Sequence, residues 1–483
     1  MEAPPAAAAA ERPLLLPAGG MLAALALALL TAVLCLVYPP FGALAPLVYT
    51  GGSAALSLSW RRTAPERVVE LALWTWLLAP GVRRVVDMVS GFHPDSLVLV
   101  APLAVSVLCL VPAAVAARRA WPQLPVPPRV RWLAVLLSVL LAYGAGVGVL
   151  VGRPVPAVAL AFLQAAAPLA LGVSALVLLP RARRVVLVDR FAVWGCLLVG
   201  GYGVVQFLVA PQWDRQWLRD VADVASSFGY PEPLGIRVFS TVNDPVSLAA
   251  FLSLAVLWLA LRRRLGVLGW LALAVGLSCL GLTLVRAAWV AVLLGVLLAC
   301  LRGWVRVERL AVVVVVVIAL LPTAGPTLAP VVERVDKSVS SGSQDESFQA
   351  RIAFQSAQVL PSLTSVSGAG LASTGTAVRR DAAADQRFAN SDSGYLEVLR
   401  TYGGPLGAVL VISTFSLVLA VQRRTPPEAR GAAALLAAVP VTFVFNNALV
   451  GVLGVALWCS LMALVDGPQD ERRVVDLTAL PGA

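Results

Sequence analysis

Charge is what this chain has little of. Only 13% of its 483 residues are Asp, Glu, Lys or Arg, about half the ~25% usual for a soluble globular domain. Lysine is nearly absent, Lys337 being the one example, so the formal net charge of +11 is carried by arginine. Histidine occurs once, at His93, which excludes a histidine-rich metal site. The six cysteines, Cys35, Cys109, Cys196, Cys279, Cys300 and Cys459, lie in or at the ends of apolar runs and form no CxxC or Cys/His spacing. A disulfide framework or zinc centre is therefore not expected, and buried thiols in such runs read as small core residues.

What is present is hydrocarbon. Apolar residues make up 59% of the chain, in recurring runs of about 17 to 25 residues, the length of a membrane-crossing helix and not of a barrel strand. In lipid only helices and closed barrels satisfy the backbone. The composition thus predicts an all-α polytopic integral membrane protein with about 14 transmembrane helices. Candidate spans lie near 21–37, 42–60, 68–82, 95–117, 132–151, 154–179, 190–210, 244–261, 265–285, 287–301, 309–329, 403–421, 431–446 and 448–465. Residues 21–37 lack a basic flank and are followed by further spans, so they read as a first helix and not as a cleaved signal. Residues 1–20, rich in Ala and Pro, are expected to be a disordered cytoplasmic N-terminus, 21–210 an N-terminal transmembrane bundle, 211–465 a second transmembrane region and 466–483 a cytoplasmic tail.

The arginines sit at the ends of apolar runs, where they orient helices; nucleic acid is not an expected partner. Alternating the loops places 23 of the 37 Lys and Arg residues on one side. Short loops on the other side hold only Arg83-Arg84, Arg153 and Arg286. By the positive-inside rule both termini are cytoplasmic. A hydrophilic stretch of roughly 70 residues, 331–402, then forms a large extracytoplasmic loop. Loops this much longer than ~15 residues are usually functional or disordered.

Cations on that outer side are the first candidates for chemistry. Arg237 precedes a span, Arg286 sits between two spans with almost no loop, and Arg351 opens the long loop. A charge at membrane depth is costly and so a functional candidate. Three guanidinium forks sharing a pocket would suit a diphosphate. The bland alternatives are a snorkelling turn residue for Arg286 and solvated loop charges for Arg237 and Arg351. Asp392 is the candidate general base, or else an N-cap for a helix starting near Ser393. Gly368 and Gly370 allow a close backbone approach, to a ligand or within a plain turn. Asn446-Asn447 read as a turn between spans.

The order of these pieces resembles the O-antigen ligase / O-antigen polymerase family of polytopic membrane glycosyltransferases. Arg237 with Asn243-Asp244-Pro245, Thr283-Leu284-Val285-Arg286, Arg351-Ile352-Ala353-Phe354, Gly368-Ala369-Gly370, Asp392-Ser393-Gly394-Tyr395-Leu396 and the helix entry Leu399-Arg400-Thr401-Tyr402-Gly403-Gly404 follow the family's order. The likeness spans about 237–407. The family's His-Asn is Asp392-Ser393 here. The resemblance implies transfer of a glycan from a polyprenyl-diphosphate donor to a glycan or other acceptor hydroxyl, at the outer face of the inner membrane, with no cofactor and no metal. It implies Asp392 as catalytic residue and Arg237, Arg286, Arg351, Tyr395 and Arg400 as substrate-binding residues. The rival expectations are a multi-span transporter or lipid-linked oligosaccharide flippase, and a non-catalytic scaffold.

Overall fold

The computed structural model describes residues 19–114, 128–221, 228–262, 265–304, 346–390, 393–422, 425, 427–445 and 447–465. Among these the protein is all-helical, with no strand. The helices are α1 Gly19–Val37, α2 Ala45–Trp60, α3 Pro65–Ser90, α4 Ala101–Leu108, α5 Pro128–Leu150, α6 Val155–Leu178, α7 Arg181–Val209 (interrupted by one π turn at Cys196–Gly200) and α8 Gln212–Asp220. They continue with α9 Pro245–Ala260, α10 Val267–Leu282, α11 Arg286–Leu301, α12 Glu346–Thr364, α13 Gly394–Tyr402, α14 Gly404–Gln422, α15 Arg430–Phe445 and α16 Gly451–Leu464. Five helical stretches are long and apolar enough to cross a membrane: Gly19–Val37, Leu97–Ala114, Pro128–Leu150, Val155–Leu178 and Arg181–Val209. Six further apolar helices are shorter. A 16-residue helix is about 24 Å long, less than a ~30 Å hydrocarbon core; length and apolar composition together identify the five. The expected span 309–329, the tails 1–18 and 466–483, and the first part of the long loop, 331–345, lie outside the described residues.

Burial sorts the helices. In α1 the buried residues Met21, Ala24, Ala28, Thr31 and Cys35 recur every three or four positions, one stripe of a 3.6-residue helix. The rest of α1 shows Leu29, Leu30 and Val33 to the outside, a lipid-facing surface. By contrast α3, α9 and α16 are buried all round, as helices at the centre of a bundle must be. Small residues let them approach: a side chain at Gly172 of α6 would overlap the Trp458 indole of α16, the close packing that membrane helices depend on.

Two predicted boundaries shift. The third span, expected at 68–82, is the longer helix Pro65–Ser90. Arg83 and Arg84 are therefore helical and buried, not loop residues. The span expected at 190–210 begins at Arg181. Its arginines are not a free loop: Arg184 donates to the carbonyls of Met462 (2.8 Å) and Val465 (3.2 Å) at the end of α16. A cation at a helix C-terminus satisfies orphan carbonyls and complements the dipole. Arg302 does the same for α14 through the Gln422 carbonyl, at 2.9 Å, while Glu70 accepts from the Gly20 amide at the start of α1, at 3.1 Å. Asp189 takes both the Trp258 indole N–H and the Arg262 guanidinium.

These contacts gather the α1 start, the α7 start and the ends of α9, α14 and α16 at one pole. At the opposite pole lie the end of α3, α8, the 228–244 segment and the α10–α11 turn, joined by hydrogen bonds described below, and residues 365–403, whose Arg380 pairs with Asp95 in the loop after α3. Single cysteines at Thr63 and Ser367, both exposed, should therefore demand opposite access for an impermeant thiol reagent in sealed vesicles. Modification of both from one side would contradict this arrangement.

Candidate functional site

The second pole carries a buried polar network. Arg84 of α3 pairs with Asp214 of α8 at 3.1 Å, the two side chains being 1% and 0% exposed. Asp214 also accepts from Tyr202 Oη (2.6 Å) and Gln206 Nε2 (2.9 Å), and Trp213 Nε1 donates to Tyr202 Oη (2.6 Å). Arg84 reaches on to the Ser240 carbonyl and lies over the Phe239 ring, 4.8 Å from its centre. Gln206 Oε1 accepts from the amides of Phe239 (3.0 Å) and Ser240 (2.8 Å). Ser240 Oγ donates to the Val199 carbonyl. The result is a clasp from α3, α7 and α8 on residues 239–240. Ser240 is held at φ +50° and Asn243 at φ +24°, a region L-residues seldom occupy and which costs about 1–3 kcal/mol each.

The clasped segment carries Arg237 to the α10–α11 turn. Arg237 Nε donates to the Thr283 carbonyl at 2.7 Å, and the Val238 amide to the Leu282 carbonyl at 3.2 Å. That turn is itself bent back, with Leu284 at φ +54°, and is pinned by Thr283 Oγ1, which accepts from the Val285 amide. α11 then begins at Arg286, so Arg286 stands on the first turn of a helix, where unpaired N–H groups and the dipole favour anions. Arg237 and Arg286 are thus brought to one turn. Asp244 caps α9, accepting from the amides of Val246 (3.2 Å) and Ser247 (2.8 Å).

Below this turn lies a narrow apolar cleft between α9, α11, α15 and α16. Its walls include Val246, Ala250, Val285, Ala288, Val439 and Leu457. Val246 and Val285 stand at the starts of their helices, so the cleft reaches the polar end and runs down α9 as far as Ser253, roughly 10 Å at 1.5 Å per residue.

The remaining predicted residues sit elsewhere at the pole. Tyr395 donates its hydroxyl to the Pro440 carbonyl (2.9 Å), and its ring packs on Phe415 and Phe443, next to the cleft residue Thr442. Arg400 belongs to a second cluster: it stacks on Phe388 at 3.5 Å, and burial, with Arg153 beside it, holds its pKa below the ordinary guanidinium value. Arg379 is depressed by burial too, and the Arg387 guanidinium holds the Asp385 carboxyl below the usual carboxylate range. Arg351 is on α12, but its side chain lies outside the described residues, as does Asp392 altogether. The helix-cap alternative for Asp392 has an answer nevertheless. The N-cap of α13 is Ser393, at φ −127°, whose side chain accepts from the Leu396 amide at 3.4 Å.

Gly368 and Gly370 meet backbone, not ligand. Both have φ near +70°. The Ala369 and Gly370 amides donate to the Arg400 and Thr401 carbonyls, and the Leu371 amide to the Gly144 carbonyl. Arg153 clamps the same turn through the Ala369 and Ala372 carbonyls (3.2 and 3.3 Å) and Asp381 (3.3 Å). Any Cβ on Gly370 would strike the backbone of Gly148 in α5. Among the described residues no group of three or more His, Cys, Asp or Glu is disposed to hold a metal ion.

Sequence reasoning missed Arg84, Asp214 and Gln206. The available signal was Arg83-Arg84-x-x-Asp87 at the end of an apolar run, where Arg83 and Asp87 pair at 3.0 Å, and the polar segment Gln212–Asp220 just after a span. A comparison of the chain with family models finds no match, and a comparison with curated proteins finds none either.

Two substitutions test the frame of the site. Gly370→Ala should free the 365–375 turn from α5, through strain and overlap together worth about 2–5 kcal/mol; limited proteolysis of residues 371–393 should rise sharply, and an unchanged digest would contradict the tight docking. Asp214→Asn leaves the Arg84 charge uncompensated, a loss of about 3–5 kcal/mol for a buried pair. The double variant Arg84→Met, Asp214→Leu should recover much of the thermal stability. Equal stability of the single variant and wild type would show that the pair is not buried as described.

Proposed function

We propose that the chain is a membrane glycosyltransferase, acting as polymerase or ligase on a polyprenyl-diphosphate-linked glycan at the outer face of the inner membrane, with both termini cytoplasmic. The observation that carries this reading is the meeting of an apolar cleft with a cationic turn. An isoprenoid diphosphate has that same duality: a chain that belongs among Ala250, Ala288 and Leu457, and a dianionic head that belongs at Arg286 and Arg237, on the first turn of α11. Guanidinium forks match phosphoryl oxygens two at a time. The order of motifs along 237–407, which resembles the O-antigen ligase / O-antigen polymerase family, supports the same reading.

In the proposed reaction the acceptor hydroxyl oxygen attacks the anomeric carbon of the donor sugar. The bond from that carbon to the diphosphate oxygen breaks, and its electron pair leaves with the polyprenyl diphosphate. The hydroxyl proton passes to the Asp392 carboxylate. Arg286, Arg237 and Arg351 stabilise the negative charge that grows on the leaving diphosphate, while Tyr395 and Arg400 contact the glycan.

Purified protein supplied with a polyprenyl-diphosphate-linked glycan and an acceptor should lose transfer by ~10²–10⁴-fold on Asp392→Asn, the usual worth of a general base, with folding intact. Arg286→Lys should also be poorly active, since lysine keeps the charge but not the fork. Transfer at wild-type rate in the Asp392→Asn protein would remove Asp392 from the mechanism. Wild-type protein that moves the donor across the bilayer without transferring glycan would replace the transferase reading with a flippase.

A further inference from the structure

Three buried polar atoms within three residues have no hydrogen-bond partner among the described residues: Thr241 Oγ1, Asn243 Oδ1 and Asn243 Nδ2. Buried polar groups are ordinarily satisfied, and each orphan costs stability. Here the orphans coincide with strain, Ser240 and Asn243 both having positive φ. The conformation is also imposed: Arg84 and Gln206 grip residues 239 and 240 from one side, and Asp244 is committed to capping α9 on the other. Thr241 is fixed as well, its Cβ and methyl packing over Gly81 of α3. A fold that pays for strain and leaves the same segment's polar atoms unpaired is one that keeps them for a ligand.

The placement indicates which part of a ligand. Asn243 is three residues before Val246 on one wall of the cleft, and Arg286 is the residue after Val285 on the facing wall. A carboxamide offers two donors and one acceptor, and a threonine hydroxyl offers both roles. This set does not single out an anion, which needs donors alone. It matches a group with hydroxyls beside the anion. We infer that Thr241 and Asn243 form a subsite for the hydroxyl-bearing sugar attached to the phosphate at the cleft mouth, and so contribute to donor selection. This rests on the lipid-diphosphate reading above and adds the residues that recognise the sugar.

The test uses the full-length chain in nanodiscs and two probes, farnesyl diphosphate and farnesyl diphosphate carrying one N-acetylglucosamine. Wild type should bind both, the glycosylated probe about tenfold more tightly, as one or two net hydrogen bonds allow. Thr241→Val keeps the shape and loses the hydroxyl; Asn243→Gly keeps the backbone at ease and loses the amide. Each variant should bind plain farnesyl diphosphate as wild type does and lose the preference for the sugar. Without ligand each should unfold at the wild-type temperature or above, because an unpaired polar group has been removed. Variants that retain the preference, a wild type that binds both probes equally, or variants that unfold at clearly lower temperature without ligand would each overturn the subsite while leaving the lipid-diphosphate reading in place. A wild type that binds neither probe would overturn both.

Discussion

A charge in a low-dielectric interior must be paired, and Arg84 is about as buried as a residue can be. Its guanidinium has reached the end of the central helix α3, is 1% exposed, and finds in Asp214 a carboxylate that is 0% exposed. Desolvating both ions costs several kcal/mol apiece, and Coulomb attraction repays this only when the remaining donors and lone pairs are also satisfied. Tyr202 and Gln206 satisfy one oxygen of Asp214 and the Ser240 carbonyl one nitrogen of Arg84, while Arg84 Nη1 has no hydrogen-bond partner among the described residues. In doing so they tie α3, α7 and α8 to the one irregular segment that precedes α9. The geometry of residues 237–244 is therefore set by electrostatic necessity several helices away from the cations they position.

The same economy governs both poles of the bundle. At one, arginines end helices by binding their last carbonyls, as Arg184 does for α16 and Arg302 for α14. These cations are structural and used up. At the other, the backbone is folded into turns with Ser240, Asn243 and Leu284 at positive φ, and an apolar cleft opens beside the start of α11. Strain, a cationic helix start and an apolar volume coincide there. The proposed function rests on that coincidence, which calls for a ligand with a hydrocarbon tail and an anionic head.

How much of this was legible in the sequence depends on the range of the signal. Helices in lipid announce themselves by composition, and the edges of α9, α10, α15 and α16 fall within a few residues of the expected spans. Arg237 and Arg286 were legible as cations at span boundaries, although the hydrogen bond that brings Arg237 to Thr283 was not, because it joins residues 46 apart. α3 was misjudged for a physical reason. Its charges were read as a loop, but a central helix buffered by partners from α8 and the 228–244 segment can carry Arg83, Arg84 and Asp87 inside the protein. Gly368-Ala369-Gly370 was visible as a tight place, while its true neighbour, the α5 backbone at Gly148, lies more than two hundred positions away. Orphan atoms such as those of Asn243 leave no trace in composition or periodicity at all.

A structure of the full-length chain in a nanodisc with farnesyl diphosphate tests the central claim directly. The diphosphate should sit between Arg286 and Arg237 at the Thr283–Arg286 turn, with the isoprenoid chain in the cleft along Val246, Ala250 and Ala288. An empty cleft at saturating ligand, or a diphosphate bound elsewhere with Arg237 and Arg286 turned away from one another, would contradict it.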